Sequence, residues 1–183
     1  MTARLRRMAA RDLPAVLDLE RELFPEDAWT RDMFASELGG GSAGRYYLVA
    51  EEDGQVVGYA GLLAPVSRLP RPGPGGQADV LTMAVAPGHW GRGVGSALLE
   101  ALLAEAAAQG CADVFLEVRV DNPRAQRLYR RHGFADVALR RGYYQPSGTD
   151  ALVMRRPLDA AEFSAAPGQA PAAPAPGSPE RRS

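Results

Sequence analysis

The chain has 183 residues, which is enough for one domain with a buried core and too few for two. Its net charge of −1 gives no general affinity for nucleic acid, and 46% hydrophobic residues are usual for a globular protein. All 21 basic residues are arginine and Cys111 is the single cysteine, which excludes a catalytic lysine and a disulfide framework. No signal peptide or membrane-spanning stretch is found, so we expect a soluble, cytoplasmic protein.

The N-terminal part of the chain predicts a strand and two helices. Residues 3–9 alternate weakly and could form an edge strand. Asp12 precedes an amphipathic segment and is expected to cap a helix, which Phe24-Pro25 ends because the residue before proline avoids helical geometry. Thr30 is expected to cap a second, short helix.

A hairpin and an irregular segment come next. Two β-rich runs flank Asp53-Gly54, a dipeptide typical of a tight β-hairpin turn. Residues 65–77 contain too much proline and glycine for regular structure, so we expect a flexible connection there.

The second half of the chain alternates between strands and helices. The expected elements are a strand at 79–86, a helix from about 94 to 109, a strand at 112–119, a helix at 122–132, and strands at 134–143 and 150–156. Gly133 is placed to end the second helix. Hairpins followed by one β-α-β crossover predict an α/β fold with a mixed sheet and helices on both faces. Residues 159–183 are rich in Ala and Pro and are expected to be a disordered tail after a domain at 1–158.

Gly91, Gly93 and Gly95 lie at the mouth of a predicted helix. The loop is not a Walker A loop, and a dinucleotide fingerprint would require glycines directly after the strand and a further glycine at Ser96. The glycines could also serve only to let helix and strand pack. We favour an anion site, because such a loop frees backbone N–H groups at a helix N-terminus, and Arg92 adds a countercharge.

The loop resembles the acetyl-CoA loop of the GNAT superfamily of N-acetyltransferases, which reads Q/R-x-x-G-x-G/A after a strand. Here it spans 90–95, with Trp90 where Gln or Arg is usual. The LEVR segment at 116–119, the pattern N-x-x-A-x-x-L-Y from Asn122 to Tyr129, and the R-x-x-YY segment at 140–144 resemble the RimI-type ribosomal-protein-alanine N-acetyltransferases. The resemblance covers about residues 1–158.

The resemblance implies a GNAT-like fold, with a central mixed, mostly antiparallel, twisted sheet of about seven strands flanked by about four helices. It also implies acetyl transfer from acetyl-CoA to the N-terminal alanine of a small-subunit ribosomal protein. An α-amine has a pKa of about 8, against about 10.4 for lysine, so a modest base can deprotonate it. Glu117 occupies the family's base position and Tyr129 its acid position.

The resemblance further implies which residues bind the two substrates. Acetyl-CoA would contact Met83, Ala84, Val85, Gly91, Arg92, Gly93, Val94, Gly95, Ser96 and Asn122, with strand N–H groups stabilising the oxyanion. The peptide would contact Phe24, Pro25, Trp29, Tyr143, Tyr144 and Asp150. Phe24 and Trp29 could equally be ordinary core residues.

Alternatives remain open for the catalytic pair and for the activity. Glu117 could be a solvated charge countered by Arg119, and Tyr129 a packed aromatic. The arginines of 124–131 are typical of a solvated helix face, though they could attract CoA or ribosomal RNA. Acetylation of lysines or small amines, or acetyl-CoA sensing without turnover, are the other functions to consider. No metal-ligand spacing appears, no direct nucleic-acid binding is expected, and we expect a monomer.

Overall fold

A computed structural model describes residues 3–26, 28–39, 44–65 and 75–158. Its elements are, in chain order, β1 (Arg4–Arg7), α1 (Leu13–Leu23), α2 (Arg31–Leu38), β2 (Arg45–Glu52), β3 (Gln55–Leu63), β4 (Gly76–Val85), α3 (Val94–Ala108), β5 (Cys111–Arg119), α4 (Pro123–Arg131), β6 (Ala135–Tyr144) and β7 (Thr149–Pro157). Within those ranges, no helix is both long and apolar enough to cross a membrane. Most of the connection expected at 65–77 and the tail expected at 159–183 lie outside the described residues.

The strands form one seven-stranded sheet in the order β1-β2-β3-β4-β5-β7-β6. In the sheet as described, β4 and β5 run parallel and all other neighbours run antiparallel. The expected mixed, mostly antiparallel sheet with about four helices is therefore confirmed.

Two apolar cores cover the two faces of the sheet. Successive side chains of a strand point to opposite faces, so in β2 Val49 packs with α1 and α2 while Leu48 packs with α3. Phe34 anchors the first core and Leu98 the second, and both are fully buried. The helices thus lie on both faces of the sheet, as the sequence predicts.

Local sequence signals account for several element ends. The Thr30 hydroxyl accepts a hydrogen bond from the Met33 N–H at 3.3 Å and so caps α2. Asp53 and Gly54 both have positive φ angles, of 51° and 78°, as the turn of a tight hairpin requires. Gly133, with φ of 83°, follows the end of α4.

Two local expectations are wrong. Asp12 does not cap α1, because its carboxylate instead accepts from the Ala9 N–H at 2.8 Å and pairs with Arg6 at 2.7 Å. Strand β4 begins at Gly76, inside the segment expected to be irregular, because Gly76 pairs with Cys111 of β5. Tertiary partners override the local signal in both cases.

Candidate active site

The site opens where two parallel strands separate. β4 and β5 pair from Gly76 with Cys111 as far as Val80 with Leu116. Both strands then continue, to Val85 and Arg119, without pairing with each other. Backbone groups of the last residues of β4 that point toward β5 are therefore left facing a gap.

Strand alternation identifies those groups. The Ala86 N–H donates to Val57 O of β3 at 2.8 Å, so the N–H groups of Val85 and Met83 point away from β3 and toward the gap. Val85 O confirms this orientation, because it accepts from the Trp90 indole N–H at 2.6 Å on the gap side. Two backbone donors thus face the opening.

One cavity, the loop cavity, has a volume of about 340 Å³ and lies between the glycine loop, the end of β4 and α4. Most of the residues expected to bind acetyl-CoA line it, namely Met83, Ala84, Val85, Gly91, Gly93, Gly95, Ser96 and Asn122. Two do not. Val94 is buried in the core, and the side chain of Arg92 points toward Glu52, 3.8 Å away.

The glycine loop has the backbone geometry of an anion site. Gly91 and Gly93 have φ angles of 75° and 85°, and a Cβ at either would project into open space. α3 begins at Val94, and the first N–H groups of a helix have no partner within it. At Gly95 a Cβ would lie 3.3 Å from Leu128 Cδ2, so this glycine allows α3 and α4 to approach closely.

A stacked pair stands at the mouth of the loop cavity. Trp90, held by its bond to Val85, carries the Arg124 guanidinium 3.2 Å above its ring centroid. Both side chains line the cavity. The sequence shows Trp90 as a departure from the family pattern, but it does not show that Arg124 stacks on it.

A second, smaller cavity, the strand cavity, has a volume of about 140 Å³ between the separated strands. Its walls include the predicted residues Phe24, Trp29 and Tyr144, together with Glu117. The residues common to both cavities are Phe24, Met83, Asn122, Ala125 and Tyr129. The two cavities therefore meet, and Tyr129 stands at the junction.

Three residues expected to contact the peptide line neither cavity: Pro25, Tyr143 and Asp150. Tyr143 is exposed and packs edge-on against Tyr144, with centroids 5.1 Å apart. The Asp150 carboxylate accepts from the Gly142 N–H at 2.8 Å, which ties β7 to β6.

Glu117 lies on β5 in the wall of the strand cavity, with its side chain 25% exposed. Its Oε1 atom is 3.0 Å from Arg140 Nη1 of β6. Arg119, the countercharge considered from the sequence, instead pairs with Asp121 at 2.9 Å and donates to the Thr149 hydroxyl at 3.0 Å. Sequence reasoning missed the role of Arg140, although the residue belongs to the R-x-x-YY motif.

Tyr129 lies on α4, is buried, and packs edge-on against Phe134 at 5.9 Å. Burial raises the pKa of its phenol to about 12. Among the described residues the hydroxyl makes no hydrogen bond, so its proton is available to a group in the cavities. At neutral pH the phenol is protonated and can act as a donor.

A buried pair, also missed from the sequence, closes the strand cavity on the α1 side. Glu20 lines the cavity but is only 1% exposed, and it accepts from the Tyr59 hydroxyl at 2.5 Å. Burial and the neighbouring Glu20 carboxylate raise the pKa of Tyr59 well above its ordinary value. A buried acid within an amphipathic helix gives no signal in the sequence that separates a site residue from a core residue.

Comparison with known proteins identifies the family of the chain. The model of the acetyltransferase (GNAT) family matches residues 13–134. The chain belongs to this family. It is 44% identical to N-alpha-acetyltransferase RimI of Mycobacterium tuberculosis over 146 residues, which cover 79% of this chain and 86% of that protein.

Two further similarities concern Escherichia coli. The ribosomal protein bS18-alanine N-acetyltransferase of that organism is 31% identical over 153 residues, covering 80% of this chain and 92% of the relative. The crystal structure of its ribosomal-protein-S18-alanine N-acetyltransferase matches with a TM-score of 0.68 at 30% identity, over 85% of this chain and 93% of that one. The GNAT chain is thus an acetyltransferase with two connected cavities, one beside the glycine loop and one beside a carboxylate.

Proposed function

We propose that this GNAT acetyltransferase transfers the acetyl group of acetyl-CoA to the α-amino group of the N-terminal alanine of a ribosomal protein. The observation that carries the proposal is the junction of the two cavities at Tyr129, between the glycine loop and Glu117. Two relatives support the choice of acceptor, because one is named as an N-alpha-acetyltransferase and the other as a ribosomal protein bS18-alanine N-acetyltransferase.

The loop cavity fits the donor. Backbone N–H groups of Gly91 to Ser96 would hold its pyrophosphate, and the gap beside β4 would receive the extended arm. Acetyl-CoA supplies an acetyl group activated as a thioester. The N–H groups of Met83 and Val85 face the gap and can stabilise negative charge developing on a carbonyl oxygen there.

The strand cavity fits a small acceptor residue. Its volume of about 140 Å³ is bounded by Phe24, Trp29 and Tyr144, which leaves room for a short side chain such as that of alanine. Glu117 in its wall can accept a proton from the amine, directly or through one water. Unlike a lysine amine, an α-amine is substantially neutral near pH 8, so a carboxylate suffices as base.

The transfer balances without a covalent enzyme intermediate. The amine nitrogen forms a bond to the acetyl carbon, the carbon–sulfur bond breaks, and Glu117 takes the amine proton. Tyr129 gives its proton to the departing sulfur, and both groups then exchange protons with solvent. Cys111, the one thiol, is buried in the core and lines neither cavity, so direct transfer is the simpler route.

A peptide panel tests the proposed acceptor. We expect acetylation, followed as CoA release, with a peptide carrying a free N-terminal alanine. We expect none with the same peptide blocked at its N-terminus and containing lysine. A peptide beginning with Trp is the size control. We expect little acetylation of it, because the Trp side chain is too large for the strand cavity. Reaction of the blocked lysine peptide without reaction of the alanine peptide would overturn the N-terminal assignment.

A binding measurement separates an enzyme from a sensor. Calorimetry with acetyl-CoA should show binding by both the wild type and Glu117→Gln, while only the wild type turns over rapidly. Tight binding by the wild type without turnover of any amine would instead favour a non-catalytic sensor. The cytoplasmic location and the monomeric state remain predictions.

A further inference from the structure

We propose that Trp90 and Arg124 together form a phosphate-binding unit for CoA, in which the indole serves as a platform that aims the guanidinium at the loop cavity. The inference rests on the proposed use of acetyl-CoA. It assigns a role to Trp90, which stands where the family pattern has Gln or Arg. It also adds a contact from Arg124 of α4.

The first argument is the position of the indole. Trp90 directly precedes the glycine loop, and its N–H is fixed by the 2.6 Å hydrogen bond to Val85 O. Trp90 is nevertheless 41% exposed, whereas tryptophan is highly buried on average. The ring therefore forms a rigid surface at the mouth of the cavity.

The second argument is the stacking of Arg124. Its guanidinium lies 3.2 Å from the centroid of the Trp90 ring, well inside the range of a cation–π contact. Stacking occupies the face of the planar group and leaves the N–H donors at its edge free. Those donors match a phosphate in a bidentate arrangement, which a Lys ammonium could not reproduce.

The third argument is that no carboxylate of the described residues pairs with Arg124. Near the loop, Glu52 engages both His89 at 2.9 Å and Arg92 at 3.8 Å, so the cation inside the glycine loop is already paired. In the part of the chain that the structure describes, Arg124 forms no ion pair with a carboxylate. A free, oriented positive charge therefore lines the cavity from α4.

The electrostatic setting favours an anion as its partner. Partial burial and the neighbouring Arg127 lower the pKa of Arg124, since both disfavour its charge. Arg131, about two helical turns further along α4, also lines the loop cavity. A bound phosphate would relieve this mutual repulsion, whereas solvent alone does so less effectively.

The first test substitutes Arg124 and measures CoA binding by calorimetry. We expect Arg124→Gln to weaken CoA binding, and to raise the KM for acetyl-CoA, about tenfold, with kcat within about twofold. Arg127→Gln removes the same charge one turn away, outside the cavity, and should change binding less than about twofold. Equal weakening by both variants would show a diffuse positive surface and overturn the proposal.

The second test concerns the platform. Trp90→Ala should weaken CoA binding as much as Arg124→Gln does, and the double variant should lose little more, because the two residues act as one unit. Trp90→Phe keeps a ring but loses the hydrogen bond to Val85 O, so its affinity should lie between those of the wild type and Trp90→Ala. Additive losses in the double variant would contradict a platform role. Thermal unfolding of each variant shows whether the fold is kept.

Dephospho-CoA identifies the phosphate involved. If Arg124 contacts the pyrophosphate beside the loop, Arg124→Gln weakens CoA and dephospho-CoA equally. If it contacts the 3′-phosphate, dephospho-CoA binding is unchanged by the substitution. If the wild type binds CoA and Arg124→Gln has no effect, this inference is overturned and the proposed function is not. If the wild type binds no CoA, the proposed function is overturned as well.

Discussion

The two cavities of the site are built in different ways. The loop cavity is formed mainly by one part of the chain, from Met83 to Arg131, and its lining includes the three glycines of the loop. The strand cavity is lined by residues of α1, of the segment before α2, of α4, and of the strands β4, β5 and β6. We therefore expect donor binding to depend mainly on the conformation of one segment that is local in sequence, whereas acceptor choice depends on side chains brought together by strand register.

The largest effect is expected where the cavities meet. Tyr129→Phe removes one hydroxyl from the junction and leaves the packing on Phe134 intact. We expect kcat to fall about a hundredfold or more, as for loss of a general acid, with the KM for acetyl-CoA little changed. Steady-state kinetics with an alanine peptide measure this. A fall of less than about threefold would remove Tyr129 from the chemistry.

The pH dependence of the rate reports separately on the ionisation of the acceptor amine and on that of Tyr129. Below the α-amine pKa of about 8 the rate should rise about tenfold per pH unit, since only the neutral amine attacks. It should then stay level to about pH 10, because burial raises the pKa of Tyr129 to about 12 and the phenol keeps its proton. A descending limb centred below pH 9 would contradict this assignment.

The raised pKa of Tyr129 also makes the free energy of unfolding depend on pH. The unfolded tyrosine ionises near pH 10 and the folded one near 12, so the folded state binds more protons in between. Stability is therefore lost as the pH rises through this window. The rates of the variants should therefore be compared below about pH 10, where this loss of stability has not begun.

The next prediction tests whether the backbone conformation of the glycine loop determines acetyl-CoA binding. Gly93→Ala places a side chain at φ of 85°, which costs about 1 kcal/mol or more and shifts the loop N–H groups. We expect the KM for acetyl-CoA to rise about tenfold with the peptide KM unchanged. Gly88→Ala is the matched control, because a Cβ there also meets open space but the φ angle is not positive. Similar effects of both substitutions would contradict the backbone argument.

On the acceptor side a wall residue should alter selectivity. Trp29→Ala enlarges the strand cavity, and the ratio of kcat/KM for N-terminal leucine over alanine should rise about tenfold. Acetyl-CoA affinity should hardly change, since Trp29 does not line the loop cavity. Met33→Ala on the adjacent α2, whose side chain is exposed, is the control. An unchanged ratio would remove Trp29 from the acceptor wall.

The smallest effect is expected at Arg140. The pair with Glu117 is partly exposed, so Arg140→Gln should change the free energy of unfolding by less than about 1 kcal/mol. Loss of its hold on Glu117 should lower kcat about threefold, with acetyl-CoA binding intact. Arg141→Gln, exposed and next in sequence, should have no effect. Equal rates for both variants would show that the pair does not position the carboxylate.

The sequence predicts features that are local in the chain better than features that depend on strand register. Asp53-Gly54, Thr30 and Gly133 were interpretable because each acts within a few residues of itself. The glycine loop was interpretable because strand, loop and helix are consecutive. These features need no knowledge of strand order.

Features that depend on register were not predictable. Glu117 pairs with Val153 and Val153 with Ala138, and only this alignment brings Arg140 within reach of Glu117. Asp12 fails as a cap because Arg6 of β1 reaches its carboxylate, and no local rule contains that contact. Asp150 lines neither cavity, and the contact in which its carboxylate accepts from the Gly142 N–H also depends on the pairing of β6 with β7.

The edge position of β6 has a consequence for the motion of the site. This strand pairs with β7 alone, and nearly all its side chains are exposed, so its amide hydrogens should exchange with solvent sooner than those of the central strands. Arg140 links this strand, across β7, to the carboxylate proposed to take up the amine proton. Each brief opening of β6 would release that carboxylate from Arg140, so the orientation of the proposed base depends in part on the stability of an edge strand.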